Sequence, residues 1–185
     1  MIPTTGAKGR GQMAAVERYP LSDADLRRVL GRDLAIHNYP QLEHMDSIDE
    51  LFDAKGRCIM LYPNVSPTSG HWVCLMRRPD RIDYQDSYGE APEGAKRGMG
   101  MERREELDIA HPDLTRLLKS SGLPVFYSRV KFQAEGSGTA TCGRHAAVRL
   151  LYAPYSLEKY KKTVDSSGLT PDEFVCGVIF DRLKK

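Results

Sequence analysis

Hydrophobic positions along the chain change their period several times. Tyr19 to Gly31 has helical spacing, with Ser22 as N-cap and Leu26, Val29 and Leu30 on one face. Ser47-Ile48-Asp49-Glu50 is a capping-box pattern that opens a short helix, which Gly56 closes. From Arg57 the spacing becomes that of strands. Arg57 to Tyr62 reads as a buried strand, His71 to Arg77 as a second, and Arg81 to Asp86 as a third, alternating Ile82, Tyr84 and Asp86. The turn between the last two falls at Pro79-Asp80.

After Tyr88-Gly89, the stretch EAPEGAKRGMGM has no period and reads as a Gly-rich surface loop. A helix is predicted within 103–122, clearest over Pro112 to Lys119, then a strand over Val125 to Lys131 and a helix from Cys142 to Tyr152. Thr170-Pro171-Asp172-Glu173 is a second capping box, whose helix turns Phe174, Val175, Val178, Ile179 and Leu183 inward. Central strands flanked by helices make the expected class α+β, a mixed sheet with helices around it. Residues 1–18, rich in Gly, Thr and basic side chains, are expected to form a flexible arm ahead of a single domain over 19–185.

Composition narrows the function. The 185 residues carry 41% hydrophobic and 28% charged side chains and a net charge of +2, ordinary for a soluble globular domain. That charge does not demand nucleic acid, and leaves room only for weak attraction to DNA. No apolar run has the length of a membrane span, and the first residues lack a signal-peptide core. Cys58, Cys74, Cys142 and Cys176 are widely spaced, which points to reduced thiols in a cytosolic or nuclear setting.

The chemistry gathers around a few residues. A turn at Pro79-Asp80 pairs His71 with Tyr88, Val73 with Asp86 and Leu75 with Tyr84, so His71 and Asp86 share a face on a diagonal, roughly 7 Å apart at Cβ. A one-residue slip would separate them. Cys142 follows GSGTAT and begins a helix, where free amides and the helix dipole favour a thiolate. The small residues before it let a substrate backbone approach and leave amides to meet an oxyanion, and Gly143 adds room where a carbonyl docks. Gln133 offers a neutral donor to such an oxygen. The rival use of His71, Cys74, Cys142 and His145 is a zinc site, but residues three apart on a strand point to opposite faces, so no metal is expected. Cys58, Cys74 and Cys176 lie in apolar runs and read as core; His37, His44 and His111 read as surface.

GHWVCL, then DSYG, then Gln133 ahead of TATCGRHAAVRL resembles the adenovirus-type maturation cysteine proteases (adenain) and their relatives in large DNA viruses and virophage-like elements. More distantly it is similar to the SUMO-specific proteases, with which it shares the order His, acid, Gln, Cys. The resemblance covers about residues 20–155. It implies Cys142 as nucleophile, His71 as base and acid, Asp86 as its orienting partner where adenain has glutamate, and Gln133 with the amides at Cys142 and Gly143 as oxyanion hole. Trp72 matches a family aromatic, and Trp72, Gly138 and Thr141 are expected along the substrate cleft. Nine positions separate Gln133 from Cys142, more than in either group, and the loop after Gly89 looks like an insertion.

The resemblance implies a cysteine endopeptidase that cleaves viral capsid or core precursors at Gly-containing sites during virion maturation. It would act as a monomer, away from membranes, in the virion and the cytoplasm or nucleus of the infected cell. The residues require no cofactor; a peptide or DNA activator is implied by the resemblance alone. The alternatives are a ubiquitin-like-modifier protease, an acyltransferase on the same fold, and a binding module without activity.

Overall fold

The computed structural model describes residues 16–136 and 139–183. Five strands form one mixed sheet in sequence order: β1 (Ala35–Asn38), β2 (Arg57–Ser66), β3 (Ser69–Arg77), β4 (Ile82–Gln85) and β5 (Val125–Tyr127). The central pairs β2–β3 and β3–β4 are antiparallel, and the outer pairs β1–β2 and β4–β5 are parallel. Leu75 faces Tyr84 and Cys74 faces Gln85, the register a turn at Pro79-Asp80 requires.

Both faces of the sheet are covered, which is why β2 and β3 read as continuous apolar runs rather than alternating ones. Ile59, Leu61, Trp72, Cys74 and Met76 meet helices α1 (Asp23–Leu30), α4 (Cys142–Leu151), α5 (Leu157–Asp165) and α6 (Pro171–Leu183). Cys58, Met60, Tyr62, Val73, Leu75 and Tyr84 meet α3 (Asp113–Ser120) and the short turns at Tyr39–His44 and Ile48–Leu51. A further helix, α2 (Met101–Glu106), precedes α3.

α1 begins where expected. The Ser22 hydroxyl accepts from the Asp25 amide, and the Asp25 carboxylate accepts from the Ser22 amide. The same reciprocal arrangement joins Thr170 and Glu173 at the head of α6. The helix predicted from Ser47 to Gly56 is instead a single 3₁₀ turn, Ile48–Leu51. The Asp53 carboxylate accepts from the amides of Lys55 and Arg57, which closes a tight turn and stops the helix. The strand predicted over 125–131 ends at Tyr127, because the Ser128 hydroxyl takes the Val130 amide into a local turn. β1 and α5 were not foreseen: β1 has four residues and no alternation, and α5 buries only Tyr160 and Val164.

α4 is buried along most of its length, so its charged residues need local acceptors. Arg149 donates to the carbonyls of Tyr152 and Tyr155, and Arg144 to that of Tyr19. Of the arm expected over 1–18, residues 1–15 lie outside the described residues. Residues 16–18 make a helical turn, and the Glu17 carbonyl accepts from the Ala140 amide, just ahead of α4.

Candidate active site

The N-terminus of α4 abuts the start of β3, and this contact assembles the site. Trp72 packs its ring against Gly143, where a Cβ would stand 3.1 Å from the indole Cδ1. Glycine there lets the helix end approach the strand closely. Cys142 is partly exposed, whereas Cys58, Cys74 and Cys176 are buried.

His71 Nε2 lies 3.0 Å from Asp86 Oδ2. The other Asp86 oxygen accepts from the Tyr88 amide at 2.7 Å, so the carboxylate is fixed at both ends. With Nε2 turned to Asp86, Nδ1 is left for Cys142, and each of the two side chains favours the charged form of the other. Tyr88 stacks on the imidazole, with ring centroids 5.1 Å apart and planes 23° from parallel. Gly89 closes this turn at φ +75°; a Cβ there would meet the Arg129 carbonyl at 2.7 Å.

The charges lean one way. Burial opposes a charge on His71, but its hydrogen bonds to Asp86 and Cys142 and the negative charge of both outweigh burial and raise its pKa well above the ordinary imidazole value. Burial pushes the Cys142 thiol up, yet the His71 hydrogen bond and charge, with the amides of Trp72 and Gly143, bring it below the usual thiol value. Both directions favour a thiolate facing an imidazolium. Burial pushes the thiols of Cys74 and Cys176 up to about 12, and raises that of Cys58 as well.

These side chains line a cleft of about 810 Å³ that also takes in Gln133. The Ser87 hydroxyl donates to Gln133 Oε1 at 2.7 Å, and the Ser87 carbonyl accepts from the Gln133 amide at 3.0 Å. With its oxygen so engaged, the carboxamide has its NH₂ end to offer the cleft. His71, Asp86, Cys142, Gln133 and Trp72 are therefore gathered around one cavity, and Gly143 sits behind it with its amide on the Cys142 sulfur.

Thr141 departs from expectation. It is fully buried, its hydroxyl is committed to Asp172, and it is absent from the cleft wall. Gly138 lies outside the described residues. Cys74, which belonged with His71 to the zinc arrangement set aside above, points into the core beneath α4, and no group of three potential metal ligands occurs among the described residues. His37 is half-buried rather than a surface residue, with burial lowering its pKa.

Comparison with known proteins gives one firm kinship. The uncharacterized protein V9 of Sputnik virophage is 32% identical over 164 residues, covering 86% of this chain and 93% of that protein. The chain belongs to the V9 family. No family model matches it. Among solved structures, the C-terminal Ulp1 protease domain in complex with Smt3, the yeast orthologue of SUMO, aligns over 100% of this chain and 99% of its own, with TM-score 0.40 and 14% identity. SUMO protease Ulp1 with its catalytic cysteine oxidized to a sulfonic acid aligns over the same shares, with TM-score 0.39 and 14% identity. Likeness at that level leaves the chemistry to be read from the residues themselves.

In this V9-family chain, several residues that shape the site carried no clear signal in sequence. Ser87 and Tyr88 sit inside the quoted DSYG motif, but their partners become visible only once Gln133 and His71 are brought alongside. The loop after Gly89 is no loose surface segment. Lys96 is 4% exposed and donates to Tyr39 Oη at 2.7 Å and to the His111 carbonyl at 2.6 Å, while pairing with Glu93 at 2.7 Å. Glu93 also accepts from Tyr39 Oη and the Thr115 amide. This buried cluster anchors Glu90 to Gly98 as one wall of the cleft. Glycine and lysine in the sequence suggest solvent, and the buried acceptors for Lys96 come from distant segments.

Proposed function

We propose that this chain is a cysteine endopeptidase. The observation that carries the reading is the convergence of Cys142, His71, Asp86 and Gln133 on one cleft, with the thiol pKa lowered and the imidazole pKa raised. The Cys142 thiolate attacks the scissile carbonyl carbon. The carbonyl oxygen, now negative, accepts from the Gln133 NH₂ and from the Cys142 amide, which at the first position of α4 has no acceptor within its helix. The His71 imidazolium gives its Nδ1 proton to the departing amine as the C–N bond breaks, leaving a thioester on Cys142. Neutral His71 then takes a proton from water as its oxygen attacks the thioester. Collapse releases the acid and restores the thiolate beside the imidazolium. Asp86 holds the imidazole in the tautomer this sequence needs.

The substrates are polypeptides. The Gly- and Thr-containing approach to Cys142, with Trp72 beside it, favours small residues before the scissile bond, and glycine is the residue proposed there. Kinship with a virophage protein supports a role in cleaving viral structural precursors during virion maturation. The test is to incubate the protein and its Cys142→Ala variant with Gly-Gly-X peptides, ubiquitin-like precursors, an acyl donor with an amine acceptor, and a co-expressed capsid precursor. Cys142-dependent cleavage after glycine in the capsid precursor supports the reading. Acyl transfer without hydrolysis, or cleavage that persists in Cys142→Ala, overturns it.

A further inference from the structure

The run between Gln133 and Cys142 is long, yet both of its ends are tied to one side chain. Asp172, the second residue of α6, is 6% exposed and takes no part in the cleft wall. Its Oδ2 accepts from the amide of Ala134, the residue after Gln133, at 3.0 Å. Its Oδ1 accepts from the hydroxyl of Thr141, the residue before Cys142, at 2.5 Å. His145 Nε2, one turn into α4, lies 3.0 Å from the same Oδ1. One carboxylate thus bridges the residue after the oxyanion donor and the residue before the nucleophile.

We propose that Asp172 is a positioning residue that sets the spacing between Gln133 and Cys142, with His145 holding the carboxylate in its orientation. The role rests on the peptidase reading, since the spacing matters only if both residues meet the same carbonyl group. Ser87 fixes the Gln133 side chain, but the backbone beyond it has to be held as well, and Asp172 does this from the far side of the loop. A carboxylate offers lone pairs on two oxygens and so serves all three donors at once. Asparagine cannot. With its oxygen toward Thr141 and His145, its NH₂ would face the Ala134 amide, donor against donor; flipped, it keeps the Ala134 amide but forces the Thr141 hydroxyl to accept and sets its NH₂ against the His145 Nε2 proton. Either orientation breaks at least one of the three contacts.

The test is Asp172→Asn, assayed on a peptide the wild type cleaves. The expected result is a fall in kcat of about tenfold or more with KM nearly unchanged, because misplaced donors fail chiefly in the transition state. Iodoacetamide labelling of Cys142 should keep its wild-type rate, since His71 is untouched. In a Gln133→Ala background the same substitution should cost less than about twofold, because the group it positions is gone. In Asp172→Ala, which removes both oxygens, hydrogen exchange at the Ala134 amide should accelerate by about tenfold or more as its acceptor is lost. Should Asp172→Asn fail to fold, Thr141→Val removes a single donor and should give the same kcat-selective loss. An unchanged kcat, or a full additional loss in the Gln133→Ala background, overturns the positioning role. Unchanged exchange at Ala134 in Asp172→Ala overturns the tether itself, whatever the wild type cleaves. A wild type inert toward every peptide, with Ala134 exchange responding as expected, overturns the peptidase reading and leaves the tether established.

Discussion

His71 and His145 each place Nε2 3.0 Å from a buried aspartate oxygen, that of Asp86 in one case and Asp172 in the other. Burial disfavours the charged ring in both. Their pKa values nevertheless move in opposite directions, up for His71 and down for His145. The second ring nitrogen accounts for the difference. At His71 it meets Cys142, so the ring lies between two anions, and their combined pull exceeds the penalty of burial. At His145, Nδ1 is buried with no partner among the described residues, and the imidazole lies near the ring of Phe132, with centroids 6.4 Å apart. Asp172 pulls the pKa up, but burial dominates, and the charges of His71 and Arg144 add to it. A histidine–aspartate pair is therefore not a functional signature in itself; what faces the other nitrogen decides whether the ring carries a proton.

The largest separation between the two pairs should appear in turnover. His71→Ala and Cys142→Ala should each lower kcat/KM for peptide cleavage by about 10⁴-fold or more, while His145→Gln lowers it less than about tenfold. Steady-state hydrolysis of one peptide by all three variants checks this. Equal losses for the two histidines would erase the distinction. Next in size is Gln133→Ala, with kcat down about 10²-fold and KM held. Ser87→Ala should follow at about tenfold, because a carboxamide no longer held by its oxygen can turn its donor away from the cleft.

How much of this was legible in sequence follows from what each residue answers to. The His71–Asp86 pairing was readable because a proline-containing turn fixes the β3–β4 register, and register fixes the face. Cys142 was readable because a helix start has a local signature. Thr141 was not: its neighbours suggested a cleft, and its partner Asp172 is 31 positions away, itself read only as an interior position of a capping box. Lys96 misled in the same manner, since its acceptors come from Tyr39 and His111, brought near by β1 and the turn before α3. Local patterns report helix ends and registers. Buried polar contacts between distant segments leave no pattern for a sequence to display.

A smaller effect sharpens the His71 side of the comparison. As pH falls through the lowered Cys142 pKa the thiolate takes up a proton, so iodoacetamide labelling should slow there and not at the ordinary thiol value. In His71→Ala the imidazolium is lost while burial remains, so the decline should begin at higher pH, and labelling near pH 6 should drop by about tenfold. Peptide mapping should find Cys142 labelled ahead of Cys74 and Cys176, whose thiols burial holds neutral. Unchanged pH dependence in His71→Ala would mean that the amides of Trp72 and Gly143 suffice to hold the thiolate.

The smallest effect concerns stability, and here the two pairs separate by sign. His145 has a folded pKa below its ordinary value of 6.5, so the unfolded chain binds the extra proton first. Its contribution is intact above 6.5 and is lost as pH falls through the folded value, with a slope of at most about 1.4 kcal/mol per pH unit. His71 is shifted the other way: its contribution is intact below 6.5 and is lost as pH rises through the folded value. Cys142, lowered from 9.0, offsets that loss. Between pH 6.5 and 9 the folded pair and the unfolded pair each hold one proton, and their slopes cancel. Asp172, lowered from 3.8, enters only in stronger acid. His145→Gln, which keeps a donor for Asp172 but cannot titrate, should therefore unfold at a lower temperature than wild type at pH 7.5 and approach it by pH 5. The gap should narrow by a few degrees over that range. Thermal unfolding of both proteins across the range measures it. A constant gap would mean that His145 binds its proton equally well folded and unfolded, and that the unpartnered Nδ1 finds an acceptor when the ring is charged.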